Sequence, residues 1–118
     1  MIDNKKLLLD VCNIAIQAGH EILKYYNEDI QVIYKGNATP LTKADLAANK
    51  LIIRSLKNID ENTPILSEES IIDWNTRKKW NKYWLVDPLD GTKEFIKKNG
   101  EFTVNIALIE NNKPVLGV

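Results

Sequence analysis

Cysteine and histidine occur once each in this chain, as Cys12 and His20. A disulfide within the chain is therefore excluded, and one thiol with one imidazole cannot furnish a zinc site of the Cys/His type. An excess of one charge is missing too: sixteen basic and sixteen acidic side chains balance across 118 residues. That balance gives no general attraction to a nucleic-acid polymer or to an anionic membrane. The densest basic cluster, Arg77-Lys78-Lys79, reads as solvated surface. No apolar run approaches the roughly 18 residues of a membrane span. Met1 to Lys6 leads into an amphipathic pattern and not a secretory leader, so the expected location is cytoplasmic. Repeats and low-complexity segments are absent. What remains is ordinary for one folded unit, 44% hydrophobic and 27% charged, able to bury roughly 65% of its unfolded surface.

Leu8, Val11, Ala15, Ala18, Ile22 and Tyr25 recur at helical steps and predict an amphipathic helix over 4–26, with Asp3 as its cap. Ile30, Val32 and Tyr34 alternate as in a strand, closed by Lys35-Gly36-Asn37. A second helix is expected over 43–57, capped by Thr42, with Leu46, Leu51, Ile52 and Leu56 on its apolar face. Short apolar runs at 64–67 and 83–86 read as buried strands. Phe102, Val104, Ile106 and Leu108 share one face of a longer strand, and Asn111-Asn112 turns it into a last strand over 115–118. Pro114 to Val118 has the look of an apolar strand with no polar tail. Such an edge invites pairing, and the chain reads as the N-terminal part of a larger protein.

Acidic residues follow two of these apolar runs. Ser67-Glu68-Glu69-Ser70 succeeds the first, and Asp87-Pro88-Leu89-Asp90-Gly91-Thr92 ends the second. Singly, each is unremarkable: Asp-Pro and Asp-Gly are turn material, Glu68 and Glu69 suit a solvated strand end, and Asp45 suits the first turn of a helix. In combination they change meaning. A residue before proline favours extended backbone, so the strand is expected to run to Asp87 and then turn sharply through Pro88 to Gly91. Carboxylates at strand ends can then converge on a hard divalent cation such as Mg²⁺, which prefers oxygen ligands. If Thr92 opens a helical turn, its N–H and that of Gly91 face the same space and suit an anion. Glu68, Asp87 and Asp90 thus become candidate metal ligands for in-line attack of water on phosphorus.

Other phosphate chemistries fit less well. There is no Gly-x-x-x-x-Gly-Lys loop and no Gly-x-Gly-x-x-Gly fingerprint. Haloacid-dehalogenase-type phosphatases place their two aspartates one residue apart, whereas Pro88 and Leu89 both separate Asp87 from Asp90. Serine hydrolase chemistry would have to use His20, which lies on the first predicted helix with no nucleophile elbow nearby.

The Ser-Glu-Glu-Ser and Asp-Pro-Leu-Asp-Gly-Thr motifs, with Leu41-Thr42-Lys43-Ala44-Asp45 before them, resemble the signature of the inositol monophosphatase superfamily of Mg²⁺-dependent, lithium-sensitive phosphatases. The resemblance runs from the first helix through Val118. Lys93-Glu94-Phe95, followed by Asn99-Gly-Glu-Phe-Thr-Val-Asn-Ile-Ala-Leu108, is similar to the 3'(2'),5'-bisphosphate nucleotidases of sulfur assimilation. Those enzymes convert 3'-phosphoadenosine 5'-phosphate to AMP and inorganic phosphate. The inositol phosphatase branch more often carries Thr-Asn at Lys93-Glu94. The resemblance implies an α/β fold, an α+β layered sandwich of the sugar-phosphatase type. Residues 1–118 would be its N-terminal metal-binding portion, with two helices and a mainly antiparallel sheet. It implies that Glu68, Asp87, Asp90 and the Leu89 carbonyl bind magnesium, with two or three ions in a complete enzyme. Asp45 and Thr92 would activate the water, and Gly91 and Thr92 would contact the phosphate of a small 3'-phosphorylated nucleotide. Members are often homodimers.

Members also run to roughly twice this length, and a further Trp-Asp-x-Ala-Ala-Gly motif supplies another metal-binding aspartate. This chain has no such motif. The second metal site is then incomplete, and the chain by itself is expected to be inactive. Inositol monophosphate as substrate, or a non-catalytic truncated fragment, are the alternatives.

Overall fold

The structure is a computed structural model, and it describes residues 4–26, 32–34, 40–70, 72–92 and 102–118. Helix α1 (Asn4–Tyr26) leads to a two-stranded antiparallel ribbon of β1 (Val32–Tyr34) and β2 (Pro40–Thr42). Helix α2 (Lys43–Ile59) follows directly, then β3 (Ile65–Ser67), a single turn α3 (Trp74–Arg77), β4 (Lys82–Asp90), β5 (Thr103–Glu110) and β6 (Lys113–Gly117). The last four strands form one sheet in the order β3-β4-β5-β6. Among the described strands only β3 and β4 run parallel; the other pairs are antiparallel. The mixed, mainly antiparallel α/β architecture expected from the sequence is what forms.

The two long helices pack on each other and on one face of the sheet, α2 against β4 and α1 against β5. Leu7, Val11, Ile14, Ala18 and Ile22 of α1 meet Ala44, Ala48, Ile52 and Leu56 of α2 above Trp84, Val86, Ile106 and Leu108 of the sheet. Strand side chains alternate between faces, so Leu85, between Trp84 and Val86, lies on the side away from the helices and is 43% exposed.

The expected helix stripes face the core at Val11, Ala18, Ile22, Ile52 and Leu56, but each departs at one leucine. Leu8 and Leu46 are exposed, while Leu7, Ala44 and Ala48 are buried. On α2 the buried face also holds two polar residues, Asp45 and Asn49. An apolar-only count misses them and turns the stripe toward Leu46. Both polar residues serve the site described below.

Pairing on β4 departs from expectation as well. Asp87 stands opposite Asn105 and Asp90 opposite Thr103, so three steps on β4 match two on β5. The strand does not stop at Asp87; it carries one extra residue as a bulge and runs to Asp90. Pro88, without an N–H to donate, is suited to such a position. The expected left-handed glycine follows, with Gly91 at φ 93°. Asn111 and Asn112, at φ 52° and 63°, make the expected two-residue turn between β5 and β6. Lys78 and Lys79 are exposed, as a solvated surface requires, and half-buried Arg77 lies with its guanidinium 5.2 Å from the centre of the exposed Trp74 ring. The Asp3 cap, Ile30, the Lys35-Gly36-Asn37 stop and the Lys93-Glu94-Phe95 motif lie outside the described residues.

Truncation at the helix–sheet contact should be costly and truncation of the exposed leucine cheap. Ile52→Ala is expected to lower stability by about 2–5 kcal/mol, and Leu46→Ala by no more than about 0.5 kcal/mol. Urea unfolding followed by circular dichroism measures both, and equal losses would contradict the stripe assignment.

Candidate active site

The first turn of α2 begins the site. Thr42 caps the helix in a reciprocal box: the Asp45 N–H donates to Thr42 Oγ1 at 3.3 Å, and the Thr42 N–H donates back to Asp45 Oδ2 at 2.8 Å. The Thr42 hydroxyl also donates to Oδ2. The other oxygen, Oδ1, accepts from the Thr92 hydroxyl at 2.8 Å. Thr92 Oγ1 lies 3.3 Å from the Leu89 carbonyl oxygen, a longer alternative. Asp45 is only 1% exposed, and a buried carboxylate needs such donors to offset lost hydration.

The second acidic group is built on the parallel pair. The Glu68 N–H donates to the Val86 carbonyl at 3.2 Å, continuing the β3–β4 ladder by one step. That step carries Glu68 alongside Asp87. Asp90 follows at the end of the bulge, exposed, and Asn105 Nδ2 approaches its Oδ2 at 3.5 Å. Leu89 is buried, and Gly91 and Thr92 are half-buried. Asp87 shares the sheet face with Leu85, at the end of a groove of about 600 Å³ also lined by Leu66, Glu68, Asn105 and Ala107.

Asp87 is the strained member. Burial lifts its carboxyl to about 7, and the neighbouring carboxylates of Glu68 and then Asp90 add to the lift. Its Oδ1 is buried with no hydrogen-bond partner. Among the described residues, no three His, Cys, Asp or Glu side chains converge closely enough to hold an ion as they stand. The donor set nonetheless suits one. A buried, unpartnered oxygen pressed by two like charges gains most from a hard cation, and all the nearby donors are oxygens.

Asn49 was not singled out from the sequence, and Ser67 was named only as part of the Ser-Glu-Glu-Ser motif. Asn49 lies one helical turn beyond Asp45, and its side chain meets Ser67 and Ser70 on the turn that bears Glu68. The available signal was an asparagine at i+4 from an acidic first-turn residue, on a stripe otherwise filled by alanine, isoleucine and leucine. Asn105, opposite Asp87, could be found only after β4 and β5 were registered.

The profile of the inositol monophosphatase family matches residues 3–118. The chain belongs to this family. Within it, the chain is 53% identical over 116 residues to a 3'(2'),5'-bisphosphate nucleotidase CysQ from Buchnera aphidicola, covering 97% of this chain and 44% of that protein. It is 50% identical over 114 residues to the CysQ nucleotidase of Escherichia coli, covering 95% and 46%. Among solved structures, CysQ from Bacteroides thetaiotaomicron superposes with a TM-score of 0.78 at 44% identity, over 96% of this chain and 41% of that one. The chain thus spans less than half the length of these family members. No helix among the described residues is long and apolar enough to cross a membrane.

The raised Asp87 value has a sign that can be measured. The folded chain keeps this proton to about pH 7, whereas the unfolded chain releases it near the ordinary 3.8. Its contribution to stability is therefore complete below about pH 4 and is lost as pH rises through 7. With a chelator present, Asp87→Asn should flatten that part of the decline. Urea midpoints of both proteins between pH 4 and 8 test this, and parallel curves would contradict it.

Proposed function

We propose that residues 1–118 are the N-terminal metal-binding portion of a Mg²⁺-dependent 3'(2'),5'-bisphosphate nucleotidase. The reaction removes the 3'-phosphate of 3'-phosphoadenosine 5'-phosphate, leaving AMP and inorganic phosphate. One observation carries the chemistry: the buried, unpartnered oxygen of Asp87 lies among the carboxylates of Glu68 and Asp90. The nucleotide substrate is supported by the 50–53% identity to the CysQ nucleotidases.

Glu68, Asp87, Asp90 and the Leu89 carbonyl would hold magnesium, two or three ions serving the whole site. When bound, Mg²⁺ supplies positive charge to phosphate oxygens and acidifies water. The chain's own residues do the rest. Thr92 commits its proton to Asp45, so its oxygen lone pairs are free to accept hydrogen from a water. That bond aims the water's oxygen at phosphorus. As the new P–O bond forms, the water's proton passes toward Thr92 and Asp45, and the 3'-oxygen leaves with its bonding pair. The Gly91 and Thr92 N–H groups would face the phosphate, and the positive φ of Gly91 sets their direction. On this proposal the rest of the ligand set and the nucleoside contacts lie outside residues 1–118, the isolated chain is inactive, and the complete protein is a homodimer.

A chimaera tests this. Residues 1–118 joined to the remaining portion of Escherichia coli CysQ should release phosphate from 3'-phosphoadenosine 5'-phosphate only with Mg²⁺. Its kcat/KM should exceed that for inositol monophosphate, and Asp90→Ala should reduce turnover to background. A preference for inositol monophosphate would overturn the substrate assignment. Undiminished turnover by the folded Asp90→Ala protein would overturn the metal assignment.

A further inference from the structure

We infer that Asn49 is a positioning residue for Glu68: from α2, its carboxamide clamps both ends of the Ser67–Ser70 turn and so sets where the Glu68 carboxylate stands. The inference rests on the metal-site proposal above and assigns Asn49 no contact with metal or substrate.

The hydrogen bonds are specific. The Ser67 hydroxyl donates to Asn49 Oδ1. Asn49 Nδ2 donates to Ser70 Oγ at 3.3 Å. Ser67 Oγ in turn accepts from the Glu69 N–H at 3.2 Å, and the Ser70 N–H donates to the Ser67 carbonyl at 3.1 Å. Glu68 is therefore enclosed by a ring of bonds whose outer anchor is a helix. Its own N–H is tied to Val86, next to Asp87.

The choice of residue is otherwise unfavourable. Asparagine is a weak helix former, and a buried carboxamide costs free energy unless its donors and acceptor are engaged. Asn49 is only 9% exposed, beside fully buried Ala48 and Ile52. Alanine would satisfy the helix and the core. What it would lose is the grip on the turn. Glu68 is exposed, so packing does little to hold it; the backbone on which it rides must be held instead. Asp45 and Asn49 lie one helical turn apart, so α2 gauges both acidic segments. Asp45 holds the Thr92 end, and Asn49 holds the Glu68 end.

The test uses the chimaera of residues 1–118 with the remaining portion of Escherichia coli CysQ, with Mn²⁺ as the probe ion followed by calorimetry and by its electron paramagnetic resonance signal. Amide hydrogen exchange without metal is read alongside. Asn49→Ala and Ser67→Ala should each weaken Mn²⁺ binding about 10-fold or more, as loss of a supporting partner typically does. The double variant should be no weaker than the poorer single, because both remove one link. Exchange should quicken at the Glu69 and Ser70 amides and stay unchanged at Ile52 and Ile106. Wild-type affinity in Asn49→Ala would overturn the inference. So would exchange that quickens uniformly, which would assign the loss to general destabilisation. If the wild-type chimaera binds no Mn²⁺, or Glu68→Ala binds it equally well, the metal-site proposal itself fails and this inference with it.

Discussion

The hydrogen bond from Thr92 to Asp45 joins segments 47 residues apart in sequence. It fastens the end of β4 to the start of α2, and the other Asp45 oxygen is already engaged by the Thr42 cap. A side chain that ordinarily completes a helix terminus thus becomes a tie between helix and sheet. Burial makes the tie stringent. With little water within reach, each donor and acceptor has few substitutes, and the loss of one leaves another unsatisfied. The direction of the Gly91–Thr92 backbone and the start of α2 therefore depend on the same few bonds.

The site carries an internal tension. Asp45 is buried but surrounded by donors, whereas Asp87 is partly buried among carboxylates. The first arrangement is stable as it stands. The second lowers stability whenever Asp87 is ionised, which is the pattern expected where a protein gives up packing quality for binding. The two carboxylates, one on α2 and one on β4, have opposite relations to the fold. One organises the fold, and the other is held in place by the fold.

What the sequence reveals here depends on how far each feature reaches along the chain. The long helices, β5 and the Asn111-Asn112 turn are local patterns, and all were legible. The cap at Thr42 was legible for the same reason. The exact buried stripe was not, because Asp45 and Asn49 occupy positions where periodicity arguments look for apolar residues. The β4 bulge depends on how Asp87 to Asp90 register against Thr103 to Asn105, which the β4 segment alone does not record. Turn α3 has too few residues to show a period. The acidic cluster stood out through its combination of motifs, but the burial and crowding of Asp87 are products of tertiary packing. The pairing of Asn49 with Ser67 and Ser70 spans elements, and only assembled coordinates display it.

The bulge at Pro88 stores the separation of Asp87 and Asp90 in the backbone. Point substitutions can change the charge at either position, but they cannot alter that interval while β4 stays paired to β5. Only an insertion or deletion could. With side chains alternating along a strand, a one-residue slip would turn Trp84 and Val86 out of the core and bring Leu85 in. A register change on this strand would therefore be felt by the core as well as by the site.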